Sequence, residues 1–359
     1  MDCLRRSTMI TIGKKQLLST VDNRRLDYID LIKGFGSLLV VIGHMQYSPF
    51  MEDITKFIYG FHMPMFFWIS GYLYKKPTRL IEYFRRKTRS LLVPWMCFGF
   101  FYLLVTLLVS GEKAFFDGLV GLLYKVVRDV PVEIGLWFLP VMFLTCVSYT
   151  VIDIFISRQW VKYILFGVIT VIGCEWTKYF HYLPFGISSM MPCLGFFAFG
   201  VWFRKKADGE MKGYIKSHRA LSFFVCLVSI VAFGYLIMLN DKVSVRLGEY
   251  GIPILGWGNA MAFTLIIFFL SLIFCHDTTN ANGTDKHKIL SPLTCLGNSS
   301  LVVLCVNHPV LNLSLSILKK VGFEAYSYTI FILHFLLSML LIIVLIWAFK
   351  VTPLKRIAR

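Results

Sequence analysis

Three ionisable side chains, Asp30, Lys33 and His44, lie along one apolar stretch near the start of the chain. Inside a membrane such groups cost about 2.5–3.5 kcal/mol each to insert, so they usually face a cavity or a partner. Asp30 and Lys33 are neighbours on a helix. Lys33 and His44 are close to three turns apart, which predicts the same helix face and a separation of about 16 Å. One helix face thus carries a cation near one membrane surface and a titratable imidazole near the other, although a hydrogen-bonded structural histidine is the simpler explanation for His44.

Four further residues could line a cavity with His44. His62 opens an aromatic-rich stretch that also contains Pro64, for which a kink is predicted, and Ser70. Trp137 begins a later apolar run, and His308 precedes a proline deep inside another. For His62, a place in an aromatic belt at the membrane surface explains the sequence equally well.

A basic loop from Lys75 to Arg89 follows the second apolar run and includes Arg85, Arg86 and Arg89. Its simplest role is to anchor the chain on the positively charged side of the membrane. The same arginines could also bind the phosphates of an anionic donor, because guanidinium groups contact phosphate in two-point hydrogen bonds. The two roles are compatible.

The elements that must position these residues are membrane helices. Of the 359 residues 57% are hydrophobic and only 16% charged, against roughly 25% charged in soluble domains. Helices are the elements that satisfy backbone groups within a spanning segment of about 20 residues. The sequence therefore predicts an all-α, polytopic integral membrane protein with about ten transmembrane helices in one bundle. The predicted spans are 29–48, 56–74, 91–110, 136–156, 160–176, 187–203, 220–239, 253–275, 294–317 and 326–349.

Loop charges predict the orientation of this bundle. With a cytoplasmic N-terminus, 27 of the 37 Lys and Arg residues fall inside and nine outside, while Lys33 lies within a span. This asymmetry agrees with the positive-inside rule and predicts that both termini are cytoplasmic. The expected organisation is a basic tail over 1–28, a transmembrane domain over 29–350 and a basic tail over 351–359. The net charge of +17 thus reflects topology, and we expect no nucleic-acid partner.

Three stretches together resemble the membrane-bound acyltransferase 3 family. The first runs from Asp30 through Lys33 to His44, where many members carry arginine at the lysine position. The second is the aromatic-rich stretch 61–73 ending in Ser-Gly-Tyr-Leu, and the third is the basic run 85–89 that leads to a proline. The stretches around Trp137 and His308 are also similar to the family in element order.

The resemblance implies a multi-pass enzyme of the bacterial inner membrane that acylates surface glycans. The expected donor is acyl-CoA, most commonly acetyl-CoA, and the expected acceptor is a hydroxyl of a glycan or of its lipid-linked precursor. The implied roles are catalysis or donor ordering for His44, Lys33 and Asp30, and donor phosphate binding for Arg85, Arg86 and Arg89. The residues expected to bind the acceptor are His62, Ser70, Trp137 and His308.

Two other functions remain open on the sequence alone. A transporter or flippase of a glycan or small anion would also need many spans and buried polar groups, although no internal repeat is detectable. A non-catalytic assembly factor would leave the intramembrane charges unexplained. No permanently bound cofactor and no metal site are expected, because the nine cysteines show no paired C-x-x-C spacing.

Overall fold

The protein is predominantly helical in the part that the computed structural model describes, which is residues 27–45, 51–127, 134–276, 291–323 and 328–352. Both predicted tails lie almost wholly outside these residues. The described part contains no strand, and its single β-bridge joins Ser244 to Glu249. The helices are α1 Asp27–Gly43, α2 Met51–Tyr59, α3 His62–Tyr72, α4 Leu80–Ser110, α5 Glu112–Val120, α6 Phe138–Phe155, α7 Gln159–Tyr179, α8 Ile187–Lys206, α9 Asp208–Ser217, α10 Arg219–Leu239, α11 Pro253–His276, α12 Ser291–Asn298, α13 Ser300–Lys320 and α14 Tyr328–Val351.

Eight of the described helices are long and apolar enough to cross a membrane: α4, α6, α7, α8, α10, α11, α13 and α14. They match eight of the ten predicted spans, so the prediction of an all-α, polytopic membrane protein is confirmed. The first predicted span is a helix of 17 residues, or about 26 Å at 1.5 Å per residue. Most of α1 is buried by α3, α11, α12 and α13. A helix enclosed by protein does not need the full length that lipid contact demands.

The second and ninth predicted spans are each broken into two helices. The second is interrupted between α2 and α3, where the backbone turns at Gly60 and Phe61. The predicted kink at Pro64 is wrong, because α3 begins at His62 and a proline in the first helical turn removes no internal hydrogen bond. Most of the ninth predicted span is α13, but its first residues belong to the separate helix α12, which ends just before Ser299.

Glycines allow the helices that carry the predicted chemistry to approach their neighbours closely. A Cβ atom on Gly34 of α1 would overlap the carbonyl group of Leu293 on α12, and one on Gly297 would overlap the carbonyl group of Asp30. Small residues at such crossings permit backbone contact that larger side chains prevent. The position of Asp30 is therefore fixed by a backbone-to-backbone contact between α1 and α12.

Polar groups join α1, α3 and α9 at the end of the bundle that carries Tyr28. The hydroxyl groups of Tyr28 and Tyr72 lie 3.0 Å apart, and Tyr72 donates a hydrogen bond to Asp208 at 2.8 Å. Lys212 donates to Tyr28 at 3.0 Å and to Asp208 at 2.9 Å. Burial lowers the pKa of Lys212, but these hydrogen bonds and the Asp208 charge outweigh it and hold that pKa above its usual value. Tyr72, the tyrosine of the Ser-Gly-Tyr stretch, therefore links α3 to α1 and α9 through hydrogen bonds.

Candidate functional site

Two cavities lie along α1. The first, here the Asp30 cavity, has a volume of about 290 Å³ and is lined by Asp30, Lys33, Ser37, Ser70 and residues of α6, α12 and α13. The second, here the His44 cavity, has a volume of about 510 Å³. Its lining includes His44, Tyr59, His62, Trp137 and His308. Three of the four residues expected to bind the acceptor therefore share a cavity with His44, whereas Ser70 lies with Asp30 and Lys33.

The two cavities adjoin within about one helical turn. On α13, Leu304 lines the Asp30 cavity and His308, four residues later, lines the His44 cavity. At the start of α6, the consecutive residues Trp137 and Phe138 face the His44 and Asp30 cavities respectively. Four residues of α-helix advance by about 6 Å along the axis. A group bound in one cavity is thus within a short reach of a group bound in the other.

His44 caps the end of α1. It is the first residue beyond Gly43, and its Nδ1 atom lies 2.7 Å from the carbonyl oxygen of Val40. Val40 belongs to the last turn of α1, whose carbonyls have no partner within the helix. A carbonyl oxygen can only accept, so Nδ1 carries the hydrogen and Nε2 retains its lone pair. The helix end therefore holds His44 in the tautomer that a general base requires.

His62 repeats this arrangement at the end of α2. Its Nδ1 atom lies 2.9 Å from the carbonyl oxygen of Ile58, in the last turn of α2, so its Nε2 atom also retains the lone pair. The ring of Tyr59 lies near both histidines, with its centroid 6.1 Å from that of His44 and 5.1 Å from that of His62. The broken second span thus brings a second imidazole and a phenol to the same cavity.

His308 reaches His44 from α13. The two ring centroids are 5.1 Å apart and the ring planes are almost perpendicular. Pro309 lacks an N–H group, so it cannot donate to the carbonyl of Cys305 in the preceding turn. The hydroxyl of Tyr102 on α4 donates to that carbonyl at 2.7 Å. The proline beside His308 is therefore accommodated by a side chain from a neighbouring helix.

Two cations from the loop between α10 and α11 complete the His44 cavity. Lys242 and Arg246 both line it, and the Nζ atom of Lys242 lies 5.2 Å from the centre of the Tyr59 ring. Glu249 lines it as well, but its carboxylate accepts a hydrogen bond from the Tyr182 hydroxyl at 3.2 Å. With two cations against one carboxylate, the wall carries net positive charge beside its aromatic rings and imidazoles, which suits a hydroxyl-bearing ligand with negative charge.

The sequence prediction did not include Tyr59, Lys242 or Arg246, because their proximity to His44 arises only from folding. One signal in the sequence could have pointed to the two cations. They belong to a segment predicted to lie outside, where only nine Lys and Arg residues fall. The positive-inside rule does not account for the cations in such a segment.

The Asp30 cavity combines a close pair of charges with one buried hydroxyl group that lacks a partner among the described residues. The Nζ atom of Lys33 lies 3.9 Å from the nearer carboxylate oxygen of Asp30. Ser37 is buried in the cavity wall and its hydroxyl has no hydrogen-bond partner within the described residues. A buried hydroxyl without a partner costs about 1–3 kcal/mol. Ser37 is therefore a natural contact for a polar atom of a bound ligand.

The three arginines expected to bind donor phosphates lie next to the Asp30 cavity but not in its wall. Arg85, Arg86 and Arg89 are exposed on α4. Ser90 and Leu91, which directly follow Arg89, line the cavity. Residues 88–92 form a π-helical turn, a rare local form that often occurs at functional sites. Arg89 is therefore adjacent in sequence to the cavity wall, and donor binding by the three arginines stays a prediction.

The fold and the two adjoining cavities define a polytopic, all-helical membrane protein with a histidine-lined site inside its helix bundle. Residues 26–351 match the family model of the acyltransferase 3 family, described as an acyltransferase domain. The chain belongs to this family, and its activity is acyl transfer. No curated protein and no solved structure matches the chain.

Proposed function

We propose that the protein transfers an acetyl group from cytoplasmic acetyl-CoA to a hydroxyl of a surface glycan or of its lipid-linked precursor in the bacterial inner membrane. The observation that carries this proposal is the pair of cavities that adjoin within one helical turn, with His44 in the second. An acyl transfer between two substrates needs the donor carbonyl and the acceptor hydroxyl in contact at a base. Two adjoining cavities with the His44 imidazole in the wall of the second support that arrangement.

The donor occupies the Asp30 cavity in this proposal. The phosphates of acetyl-CoA lie at the cytoplasmic mouth, where Arg85, Arg86 and Arg89 supply positive charge. Lys33 and Asp30 order the donor below these arginines. The flexible pantetheine arm runs along α1, so that the thioester reaches the end of the helix at His44. Ser37 and Ser70 offer hydroxyl groups to its amides.

The acceptor hydroxyl binds in the His44 cavity, between Trp137, His62 and His308. The Nε2 atom of His44 removes the hydroxyl proton while the acceptor oxygen attacks the thioester carbonyl. The tetrahedral intermediate then collapses, the C–S bond breaks, and the imidazolium returns the proton to the departing thiolate. The products are the O-acetylated acceptor and free coenzyme A. Base catalysis of this kind contributes typically 10²–10⁴-fold.

The test is acetyl transfer by purified protein in proteoliposomes, with labelled acetyl-CoA and glycan extracted from cells that lack the protein. His44→Gln keeps a side-chain donor for the Val40 carbonyl but has no base, so we expect kcat to fall about 10²- to 10⁴-fold. Donor KM should change little. The exposed residue His181 supplies the matched control, and His181→Gln should keep kcat within about twofold.

Undiminished turnover by a correctly folded His44→Gln variant would overturn the catalytic role of His44. Movement of glycan across the vesicle membrane in the absence of acetyl-CoA would favour a transporter instead. Mass analysis of the labelled product identifies the sugar and the position that receive the acetyl group.

A further inference from the structure

The loop between α10 and α11 carries two cations into the wall of the His44 cavity. Arg246 and Lys242 line it together, and the charge of Arg246 acts on both His44 and His308. Lys242 is exposed and Arg246 is half-buried, and both side chains border the cavity that contains His44.

Side-chain and backbone hydrogen bonds hold this loop in place. Ser244 and Glu249 exchange two backbone hydrogen bonds, of 2.8 Å and 3.0 Å. The side chain of Asn240 donates to the carbonyl of Tyr250 at 2.9 Å and accepts from the N–H of Ile252 at 2.8 Å. The loop is therefore closed at both of its ends by contacts within itself.

Two neighbouring helices fix the centre of the loop at Arg246. The hydroxyl of Ser189, a fully buried residue of α8, donates to the carbonyl of Arg246. Thr177 of α7 donates to the carbonyl of Gly248 at 3.2 Å, and Gly248 has a φ of +71°, a left-handed conformation that favours glycine. The backbone of Arg246 is thus positioned before any ligand binds, and a preorganised contact loses less entropy on binding.

We propose that Arg246, assisted by Lys242, binds an anionic oxygen group of the acceptor and so restricts the reaction to carboxylate- or phosphate-bearing saccharides. The planar guanidinium group of Arg246 matches either anion with two parallel hydrogen bonds, while Lys242 supplies a second charge above Tyr59. Trp137 and Tyr59 offer aromatic surface to the sugar ring. This assignment rests on the proposed acetyl transfer, because it names the acceptor class of that reaction.

The kinetic test compares two forms of the extracted acceptor in the proteoliposome assay. One form is native, and the other has its carboxylates reduced to alcohols and its phosphates removed. With the native form, Arg246→Gln should raise acceptor KM about 10- to 100-fold, as expected for loss of a charge-assisted contact, and leave kcat within about threefold. With the neutral form, Arg246→Gln should equal the unmodified protein. Lys113→Gln removes an exposed charge on α5 and serves as the matched control.

A binding test gives a result that does not depend on turnover. Inorganic phosphate and glucuronate should each be tried as anionic probes, with glucose as the neutral one, while the thermal unfolding of the full chain is followed in detergent. A ligand that binds only the folded protein raises its apparent stability. We expect at least one anion to raise Tm in the unmodified protein and not in Arg246→Gln. The anion that does so distinguishes a phosphate group from a carboxylate group.

The outcomes separate this proposal from the proposed reaction. Equal loss of turnover with native and neutral acceptors, together with no anion effect on Tm, would overturn the anion site. Arg246-dependent stabilisation by an anion, without any acetyl transfer by the unmodified protein, would support the anion site and overturn the reaction. If Arg246→Lys raises acceptor KM, but by less than Arg246→Gln does, then the charge of Arg246 and the geometry of its guanidinium group contribute separately.

Discussion

His44 and His62 each use the Nδ1 nitrogen to satisfy a carbonyl at the end of a helix. Both helix ends lie at one cavity, so both Nε2 atoms are available to a ligand there. The hydrogen bond that satisfies a carbonyl group at each helix end also fixes one tautomer of the imidazole, as base chemistry requires. In the proposed mechanism, His44 acts on the acceptor hydroxyl and His62 helps to hold the acceptor.

The sequence leaves open whether His44 abstracts a proton or carries the acetyl group itself. If it acts as a base, both substrates must be bound together, and plots of reciprocal initial rate against reciprocal donor concentration should intersect at different acceptor concentrations. An acetylated imidazole would instead release coenzyme A before the acceptor binds and give parallel lines. We expect intersecting lines, because the two cavities adjoin and can be filled together. Parallel lines, with a burst of free coenzyme A before the first product, would contradict the base mechanism.

Residue types and spacing predicted part of the candidate site. The histidines His44, His62 and His308 were predicted from the cost of ionisable groups in or near membrane spans, and Trp137 from its place at the start of a span and from the family resemblance. All four line one cavity, although their catalytic and binding roles stay predictions. Ser70 was expected beside the acceptor but lies in the Asp30 cavity, because it is two turns beyond His62 on α3.

At the level of elements, the contact between α1 and α12 holds the Asp30 cavity together. Asn298 follows Gly297 directly, and both line the cavity beside Asp30 and Lys33. Any displacement of α12 from α1 would therefore move the cavity wall against the two charges. The sequence showed small residues in α1 but not their partners, because helix packing partners are not encoded in local periodicity.

We expect Gly34→Ala and Gly297→Ala to destabilise the protein. Alanine is intrinsically better than glycine inside a helix by about 1 kcal/mol, but its Cβ would overlap a backbone carbonyl at both positions. The helices must then separate, and we expect a net loss of about 1–3 kcal/mol. Thermal unfolding in detergent should show a lower Tm, and donor KM should rise. Gly167 has open space around it, so Gly167→Ala should leave Tm unchanged or raise it. Equal Tm values for all three variants would contradict the packing argument.

For the whole molecule, hydropathy predicted the membrane class and most of the helices. It failed for the first two predicted spans. α1 is shorter than a span and mostly enclosed by other helices, while α2 and α3 replace one continuous helix and meet at a turn over Gly60 and Phe61. A hydropathy window does not detect that α1 is enclosed, because buried helices and lipid-facing helices are equally apolar.

The orientation of the bundle is the prediction on which the donor and acceptor assignments depend. The asymmetry of 27 against nine basic residues places Glu82 inside and Asp117 outside, and both side chains are exposed. In a background where Cys3 and the two exposed cysteines of the described residues, Cys97 and Cys295, are replaced by serine, a single cysteine is introduced at each position in turn. Each variant is then treated with a membrane-impermeant maleimide in right-side-out vesicles. We expect Asp117→Cys to react in sealed vesicles and Glu82→Cys to react only after permeabilisation. The reverse pattern would place the Arg85 region outside, away from cytoplasmic acetyl-CoA, and the His44 cavity would then open towards the cytoplasm.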